Sequence, residues 1–229
     1  MTTPETTKTD FYIVDFDRTL VDSDKLFEVF IEIAHRYFDI PREQIEKANE
    51  DMKARGDSFD TAGYVREHLY EEDRGDEWKS LKEAYIKECQ ALNMLIPGAS
   101  ELIQWLESNG KQYGILTYGN PMWQGLKITA AGFDQTNHIV MVHKEKGRLI
   151  SSWQDESGMF RLPEAFGGGL VDTIVMIDDK AISFSEYPPA PSKGFWVLDP
   201  QNELPSQKGS VQENVARCAN LGEVITKLA

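Results

Sequence analysis

The chain has 229 residues, of which 41% are hydrophobic, and its formal net charge is −14. A chain this acidic repels nucleic-acid phosphates and anionic membrane surfaces, so neither is an expected partner. Two distant cysteines without metal-ligand spacing argue against a zinc site or a disulfide framework, and no apolar run is long enough for a membrane span, so the cytoplasm is the expected compartment.

The first half of the chain is predicted to be mainly helical. A polar stretch, MTTPETTKT, precedes a short apolar run at 11–14 that is typical of a strand buried on both faces. From about Ser23 to Asn93 the pattern indicates successive amphipathic helices, with new segments after Pro41, Phe59 and Asp76. The first helix has six apolar residues at helical spacing: Leu26, Val29, Phe30, Ile33, Ala34 and Tyr37. Residues 22–95 hold 19 acidic against 11 basic side chains, which indicates solvated faces on a separate helical unit.

After Pro97-Gly98 the pattern changes to alternating helices and strands. The expected helices lie at 99–108, 121–131, 149–153 and 221–228, and the expected strands at 113–117, 139–142, 174–177 and 195–198. This alternation predicts an α/β fold with a Rossmann-like parallel sheet, right-handed crossovers and helices on both faces. Chemistry in such folds lies at the carboxyl ends of the strands.

Acidic side chains follow two of the predicted strands. Asp15 and Asp17 leave the first strand at alternate positions, so both can face one pocket while Phe16 points away. Asp178 and Asp179 follow the apolar run at 174–177. Like charges this close raise a pKa or recruit a cation, and carboxylate oxygens suit Mg²⁺.

A third strand end offers neutral groups. Thr117, Tyr118 and Asn120 end or follow the run at 113–117 and supply a hydroxyl and backbone amides near a predicted helix start, a suitable cradle for an anion. Each motif alone also has a simpler interpretation, because an aspartate after a strand often forms a turn or caps a helix. Their occurrence in this order, at separate strand ends, favours a catalytic site.

Together the motifs resemble a known signature. DFDRTLVDS, ILTYGN, a KG at a predicted helix start and VMIDD resemble, in this order, the four motifs of the haloacid dehalogenase-like (HAD) superfamily. The resemblance covers most of the chain, and the first string is its most specific part. The superfamily places a helical C1-type cap between its first and second motifs, which implies a core at 1–21 and 96–229 and an inserted all-α cap at 22–95.

The resemblance implies a role for each matching residue. Asp15 would be the nucleophile that forms an aspartyl-phosphate, and the Asp17 carboxylate would act as general acid and then as general base. The Asp17 backbone carbonyl, Asp15 and Asp178, with Asp179, would hold Mg²⁺. Thr117 would hydrogen-bond the phosphoryl group.

Two positions leave alternatives open. A lysine must balance the charge on the nucleophile and phosphate, and both Lys144 and Lys146 are available; Lys146 is preferred because Lys146-Gly147 resembles the KG of the family. Arg18 stands where the family often has glycine, so it either tolerates a tight turn or changes it. Its side chain either contacts substrate or cap, or faces solvent. Tyr118 and Asn120 are further candidate substrate contacts.

The predicted function is Mg²⁺-dependent hydrolysis of a small phosphorylated metabolite. Dehalogenase-type members lack the second aspartate of the first motif, so Asp17 favours phosphoryl chemistry. A phosphomutase would use the same residues and is one alternative. The other is a non-catalytic protein-binding module whose acidic helical face docks a partner. The sequence makes no prediction of the oligomeric state.

Overall fold

The computed structural model describes residues 9–55, 58–133, 140–198 and 209–229. Most of the polar amino-terminal stretch and position 139, the predicted start of a strand, lie outside the described residues. The described residues fall into two compact units. The first takes its residues from Met1–Leu20, Ile96–Leu116 and His138–Ala229, and the second from Val21–Leu95 and Thr117–Asn137.

A six-stranded sheet forms the centre of the first unit. Its strands are β1 (Asp10–Val14), β2 (Gln112–Thr117), β3 (Val140–Val142), β6 (Thr173–Asp178), β7 (Lys193–Val197) and β8 (Val215–Cys218). Their order in the sheet is β3-β2-β1-β6-β7-β8, and β2, β1, β6, β7 and β8 pair in parallel. In the register of the central pairs, Val14 lies beside Ile115 on one side and Ile177 on the other. The predicted parallel α/β fold is confirmed.

Alternate residues of the central strands bury different faces of the sheet. On one face Phe11 and Ile13 pack with Ile150 and with the residues around Phe166, whose ring centroid lies 5.4 Å from that of Phe11. On the other face the Tyr12 ring meets Trp105 of a helix, at 6.2 Å between centroids. Both faces are therefore covered, as the continuous apolar runs of the strands predict.

The remaining elements of the first unit are short. Its helices are α5 (Ala99–Ser108), α7 (Lys146–Ser151) and α8 (Leu221–Leu228), with 3₁₀ turns at Glu164–Phe166 and Ala181–Phe184. A separate antiparallel pair is formed by β4 (Phe160–Arg161) and β5 (Leu170–Val171). The bounds predicted for α5 and α8 are confirmed. The helix predicted at 149–153 begins three residues earlier, at Lys146.

The second unit is helical. It contains α1 (Ser23–Phe38), α2 (Arg42–Ala54), α3 (Thr61–Glu71), α4 (Glu77–Leu92) and α6 (Pro121–Ala130). Aromatic rings join α1, α4 and α6, because the ring centroid of Phe30 lies 4.9 Å from that of Trp123 and 5.1 Å from that of Tyr85. The prediction that Tyr37 belongs to the apolar face of α1 is wrong, because its side chain is 66% exposed. Ile31 and Phe38, which were not predicted, are buried in this helix.

The predicted core and cap bounds differ from this division at Val21, which belongs to the second unit, and in the segment from Thr117. The core was expected to hold all of 96–229, whereas the segment from Thr117 packs within the helical unit. The reason is the apolar face of α6, on which Trp123 is 7% exposed among the rings of Phe30 and Tyr85. The assignment of 22–95 as a cap stays a prediction. Among the described residues, no helix is long and apolar enough to cross a membrane.

Candidate active site

The carboxyl ends of β1 and β6 bring the predicted acidic residues together. Asp15 follows β1, Asp178 is the last residue of β6, and Asp179 follows it. The strands are still paired at this point, because the backbone N–H of Asp15 donates to the carbonyl of Ile177 at 2.9 Å. All three carboxylates are buried, with exposed fractions of 5%, 0% and 1% for Asp15, Asp178 and Asp179.

Lys146 is the cation among these carboxylates. It is the first residue of α7 and is 4% exposed, and its Nζ donates to Asp15 Oδ1 at 2.5 Å and to Asp178 Oδ2 at 2.6 Å. Lys144 is exposed. Of the two lysines considered from the sequence, the geometry therefore favours Lys146 for the charge-balancing role. Asp15, Lys146, Asp178 and Asp179 are called the charged cluster below.

A close backbone approach places Lys146. A Cβ built on Gly147 would lie 2.2 Å from the carbonyl oxygen of Ser185 and 2.9 Å from that of Ser183. Only glycine allows α7 to begin against this 3₁₀ segment. The KG pair thus has a steric reason in addition to the charge of its lysine.

Further hydrogen bonds fix the two strand ends. Thr19 donates from Oγ1 to Asp15 Oδ2 at 2.9 Å, so each oxygen of this carboxylate has a donor. Asp178 Oδ1 accepts from the backbone N–H of Lys180 at 2.9 Å, and the Trp196 indole donates from Nε1 to the carbonyl of Asp179 at 3.0 Å. Thr19 and Trp196 were not singled out from the sequence, although Thr19 lies within the first motif.

The charged cluster shifts the pKa values of its members. Burial raises the pKa of the Asp15 carboxyl to about 6, since desolvation disfavours the charged form and the positive charge of Lys146 offsets this only in part. Burial alone lowers the pKa of Lys146, but the charges of Asp15 and Asp178 outweigh it and the pKa lies above its ordinary value. Lys146 is therefore charged at neutral pH, and Asp15 is ionised above about pH 6.

The cluster also suits a divalent cation. One carboxylate oxygen from each of Asp15, Asp178 and Asp179 lies within 4.8 Å of the others. The three buried carboxylates outnumber the buried ammonium of Lys146, and the partly exposed Lys180 adds a weaker positive charge near Asp15. A cation bound here would relieve the repulsion among the carboxylates. The donors are hard oxygens without sulfur or imidazole, which fits Mg²⁺ better than a softer metal.

Asp17 and Arg18 lie in the loop that leaves β1. Both are partly exposed, in contrast to the buried Asp15. Arg18 has a φ of 62°, the left-handed conformation that glycine adopts most easily. Arg18 therefore tolerates the left-handed conformation of a tight turn at this position.

The remaining predicted residues lie at and beyond the end of β2, within the second unit. Thr117 is fully buried, and its Oγ1 accepts a hydrogen bond from Gln124 Nε2 at 2.7 Å. The same nitrogen donates to the carbonyl of Tyr118 at 2.9 Å. Asn120 caps α6, because its Oδ1 accepts from the backbone N–H of Met122 at 3.0 Å. Thr117, Tyr118 and Gln124 are called the neutral cluster below. Gln124 was not predicted from the sequence.

A family comparison identifies the class of protein. The model of the haloacid dehalogenase-like hydrolase family matches residues 12–148, more than half of the chain. The chain therefore belongs to the haloacid dehalogenase-like hydrolases. No curated protein matches the chain.

Solved structures with the same fold are distant in sequence. A protein from Burkholderia xenovorans LB400, assigned to the haloacid dehalogenase-like hydrolases, is 18% identical with a TM-score of 0.64 over 96% of both chains. A HAD phosphatase from Thermococcus onnurineus is 17% identical with a TM-score of 0.60, over 96% of this chain and 98% of its own. The magnesium-bound HAD-hydrolase YfnB from Bacillus subtilis is 14% identical with a TM-score of 0.53, over 97% and 99%. Dehalogenases are also among the matches. At these identities the likeness shows the fold alone.

Proposed function

We propose that the protein is a Mg²⁺-dependent phosphatase that hydrolyses a small phosphorylated metabolite through an aspartyl-phosphate intermediate. The charged cluster carries the proposal, because its three buried carboxylates exceed the charge of Lys146 and fit a divalent cation. Phosphoryl groups carry several negative charges and need such a cation beside an anionic nucleophile. The cytoplasm, expected from the sequence, is the proposed compartment.

The proposed first step is attack by Asp15 on phosphorus. One carboxylate oxygen forms the new O–P bond while the bond to the leaving oxygen breaks, and that oxygen takes a proton from the Asp17 carboxyl. The hydrogen bonds from Lys146 and Thr19 hold the plane of the Asp15 carboxylate during this attack. The pKa of about 6 leaves Asp15 ionised, and therefore nucleophilic, at neutral pH.

The second step releases the product. Asp17, now ionised, removes a proton from water, and the water oxygen attacks phosphorus, which returns Asp15 as a carboxylate and frees inorganic phosphate. Mg²⁺ held by Asp15, Asp178, Asp179 and the carbonyl of Asp17 would supply positive charge that neutralises the phosphoryl oxygens. A phosphomutase would differ only in the acceptor of the second step, a sugar or metabolite hydroxyl in place of water.

The test is phosphate release from a panel of phosphorylated metabolites and p-nitrophenyl phosphate, with Mg²⁺ and with EDTA. We expect Mg²⁺-dependent release that falls by at least about 10³-fold in Asp15→Asn. Asp10→Asn is the matched control, since Asp10 lies at the opposite end of the same strand, and it should keep full activity. Activity that survives Asp15→Asn, or metal-independent halide release from haloacids with no phosphate release, would overturn the proposal.

The Asp17 variant separates the two steps. The nitrophenolate leaving group needs no proton, so Asp17→Asn should still form the aspartyl-phosphate from p-nitrophenyl phosphate but hydrolyse it slowly. We expect a burst of nitrophenol of about one equivalent per enzyme, followed by a steady rate lower by about 10²-fold or more. A uniform loss of both phases would contradict the assignment of Asp17 as the base of the second step.

A further inference from the structure

Gln124 occupies a position that an apolar residue would normally fill. It lies in α6 between the buried residues Trp123 and Leu126 and is itself 1% exposed. A buried amide is costly unless its polar atoms are hydrogen-bonded. Its Nε2 meets this requirement with two bonds, to Thr117 Oγ1 at 2.7 Å and to the Tyr118 carbonyl at 2.9 Å.

The chemistry of these partners fixes the direction of both hydrogen bonds. The carbonyl of Tyr118 can only accept, so the atom of Gln124 that contacts it must be the amide nitrogen. The same nitrogen contacts the Thr117 hydroxyl. An amide nitrogen can only donate, so the hydroxyl oxygen accepts this hydrogen bond. A hydroxyl that accepts from one side keeps its own proton for another partner. Thr117 is therefore prepared to act as a donor.

The loop that carries Thr117 is packed closely on Gln124. A Cβ built on Gly119 would lie 2.9 Å from both Cγ and Cδ of Gln124, so glycine at this position allows the close approach. The Asn120 cap holds the other end of the loop on the first turn of α6. Contacts with α6 thus fix the backbone from Thr117 to Asn120. The hydrogen bond from Gln124 connects the same helix to the Thr117 hydroxyl.

We propose that Gln124 is a positioning residue that orients the Thr117 hydroxyl as a hydrogen-bond donor to the phosphoryl group. The inference rests on the proposed phosphatase function and on the role that the family resemblance implies for Thr117, a hydrogen bond to the phosphoryl group. Without the Gln124 bond this donor no longer sets the direction of the hydroxyl proton, and part of the preorganised stabilisation of the phosphoryl charge is lost.

A double-mutant cycle tests the proposal. Thr117→Val removes the donor and should lower kcat by about 10²-fold. Gln124→Met keeps this donor but removes the hydrogen bonds to the Thr117 hydroxyl and to the Tyr118 carbonyl, and should lower kcat by about tenfold. The double variant should match Thr117→Val alone, because Gln124 acts through the hydroxyl that is already gone. Gln104→Met is the control, an exposed helical glutamine that should leave kcat unchanged. Losses that multiply, or wild-type kcat in Gln124→Met, would refute a role through Thr117.

A second variant and a second measurement keep the test sharp. The ionised carboxylate introduced by Gln124→Glu can only accept, so it turns the Thr117 proton toward itself and should lower kcat more than methionine does. Calorimetric binding of inorganic phosphate follows the same interaction without turnover, and should weaken equally in Thr117→Val and in the double variant. Orientation-dependent phosphate binding in an enzyme that hydrolyses nothing would overturn the phosphatase proposal alone. Phosphate binding that is unchanged in Gln124→Met and Gln124→Glu would overturn the Gln124 proposal alone.

Discussion

Different forces hold the charged cluster at the ends of β1 and β6, all of whose members are buried, and the neutral cluster at the end of β2, in which Thr117 and Gln124 are buried and Tyr118 is partly exposed. In the charged cluster, Lys146 lies 2.5 Å from Asp15 Oδ1 and 2.6 Å from Asp178 Oδ2, and burial raises the pKa of Asp15. In the neutral cluster, Gln124 holds Thr117 and Tyr118 through hydrogen bonds of 2.7 and 2.9 Å without any ion.

The difference separates two requirements of the proposed reaction. Burying several ions together costs desolvation free energy and lowers the stability of the fold. The same burial leaves the carboxylates poorly solvated, so that they react readily as nucleophiles and bind a cation strongly. Hydrogen bonds between uncharged groups carry little of this desolvation cost, and their main effect is to fix the orientation of the groups that they join. We therefore expect substitutions in the charged cluster to change stability and activity through charge and pH, and substitutions in the neutral cluster to change activity through the orientation of hydrogen bonds.

The largest effect should follow removal of the cation. Lys146→Met leaves the buried carboxylates without their ammonium and should lower the free energy of unfolding by about 3 to 5 kcal/mol. Lys144→Met is the matched control, because Lys144 is exposed, and it should stay within about 0.5 kcal/mol of wild type. Chemical denaturation in EDTA measures both. Added Mg²⁺ should restore part of the loss in Lys146→Met, and equal stability of the two variants would refute the electrostatic account.

The glycine beside Lys146 gives the next effect. In Gly147→Ala the new methyl group would lie 2.2 Å from a backbone oxygen of Ser185, so α7 must shift, at a cost of about 1 to 3 kcal/mol. Gly125 in α6 is the control, since nothing lies within 4 Å of a Cβ placed there. Gly125→Ala should stabilise the protein by up to about 1 kcal/mol through helix propensity. Thermal melting compares them, and a stable, fully active Gly147→Ala would contradict the close approach.

The effect of the Asp15 charge on stability can be measured by comparing wild type with Asp15→Asn over a range of pH. The folded pKa of about 6 lies above the ordinary value of 3.8, so the folded state binds this proton more tightly than the unfolded state. Ionised Asp15 therefore destabilises the metal-free protein above about pH 6, and this penalty fades as the pH falls toward 3.8. Asp15→Asn in EDTA should gain stability relative to wild type as the pH rises through this window. A difference in melting temperature that is constant with pH would show that the pKa of Asp15 is not raised.

The smallest effect concerns the backbone of the loop after β1. Arg18 holds a φ of 62°, so Arg18→Gly should relieve strain and raise the unfolding free energy by up to about 1 kcal/mol. A rise in KM in the same variant would assign Arg18 to substrate contact, and an unchanged KM would exclude that role. A loss of stability would show that other contacts of Arg18 outweigh the strain.

The fold followed from the sequence wherever the apolar period was long. The buried run that ends at Ile177 and the periodic faces of α5 and α8 predicted their elements to within a residue or two. The strands β4 and β5 have only two residues each, too few to show a period. In β8 the alternation is interrupted by Arg217, whose guanidinium packs 5.1 Å from the Trp196 ring centroid. Such tertiary contacts leave no local signal.

The site was predictable where the chemistry needs an ionisable residue directly at the end of a buried apolar strand. Asp15 and Asp178 met this condition, and they lie together in the structure. Gln124 did not, because a glutamine in an amphipathic helix is ordinary and its partner Thr117 lies seven residues away in another element. The residues that donate to the catalytic groups depend on packing, which only the three-dimensional structure supplies.

The indole of Trp196 gives the charged cluster an optical reporter. Its Nε1 donates to the carbonyl of Asp179 at 3.0 Å, and the ring is only 5% exposed. An indole held this way emits at short wavelength, and a change in the polarity or charge at Asp179 alters its emission. Subtracting the spectrum of a Trp196→Phe variant isolates this one ring from the other four tryptophans of the chain. Cation binding can thus be followed by fluorescence without any substrate.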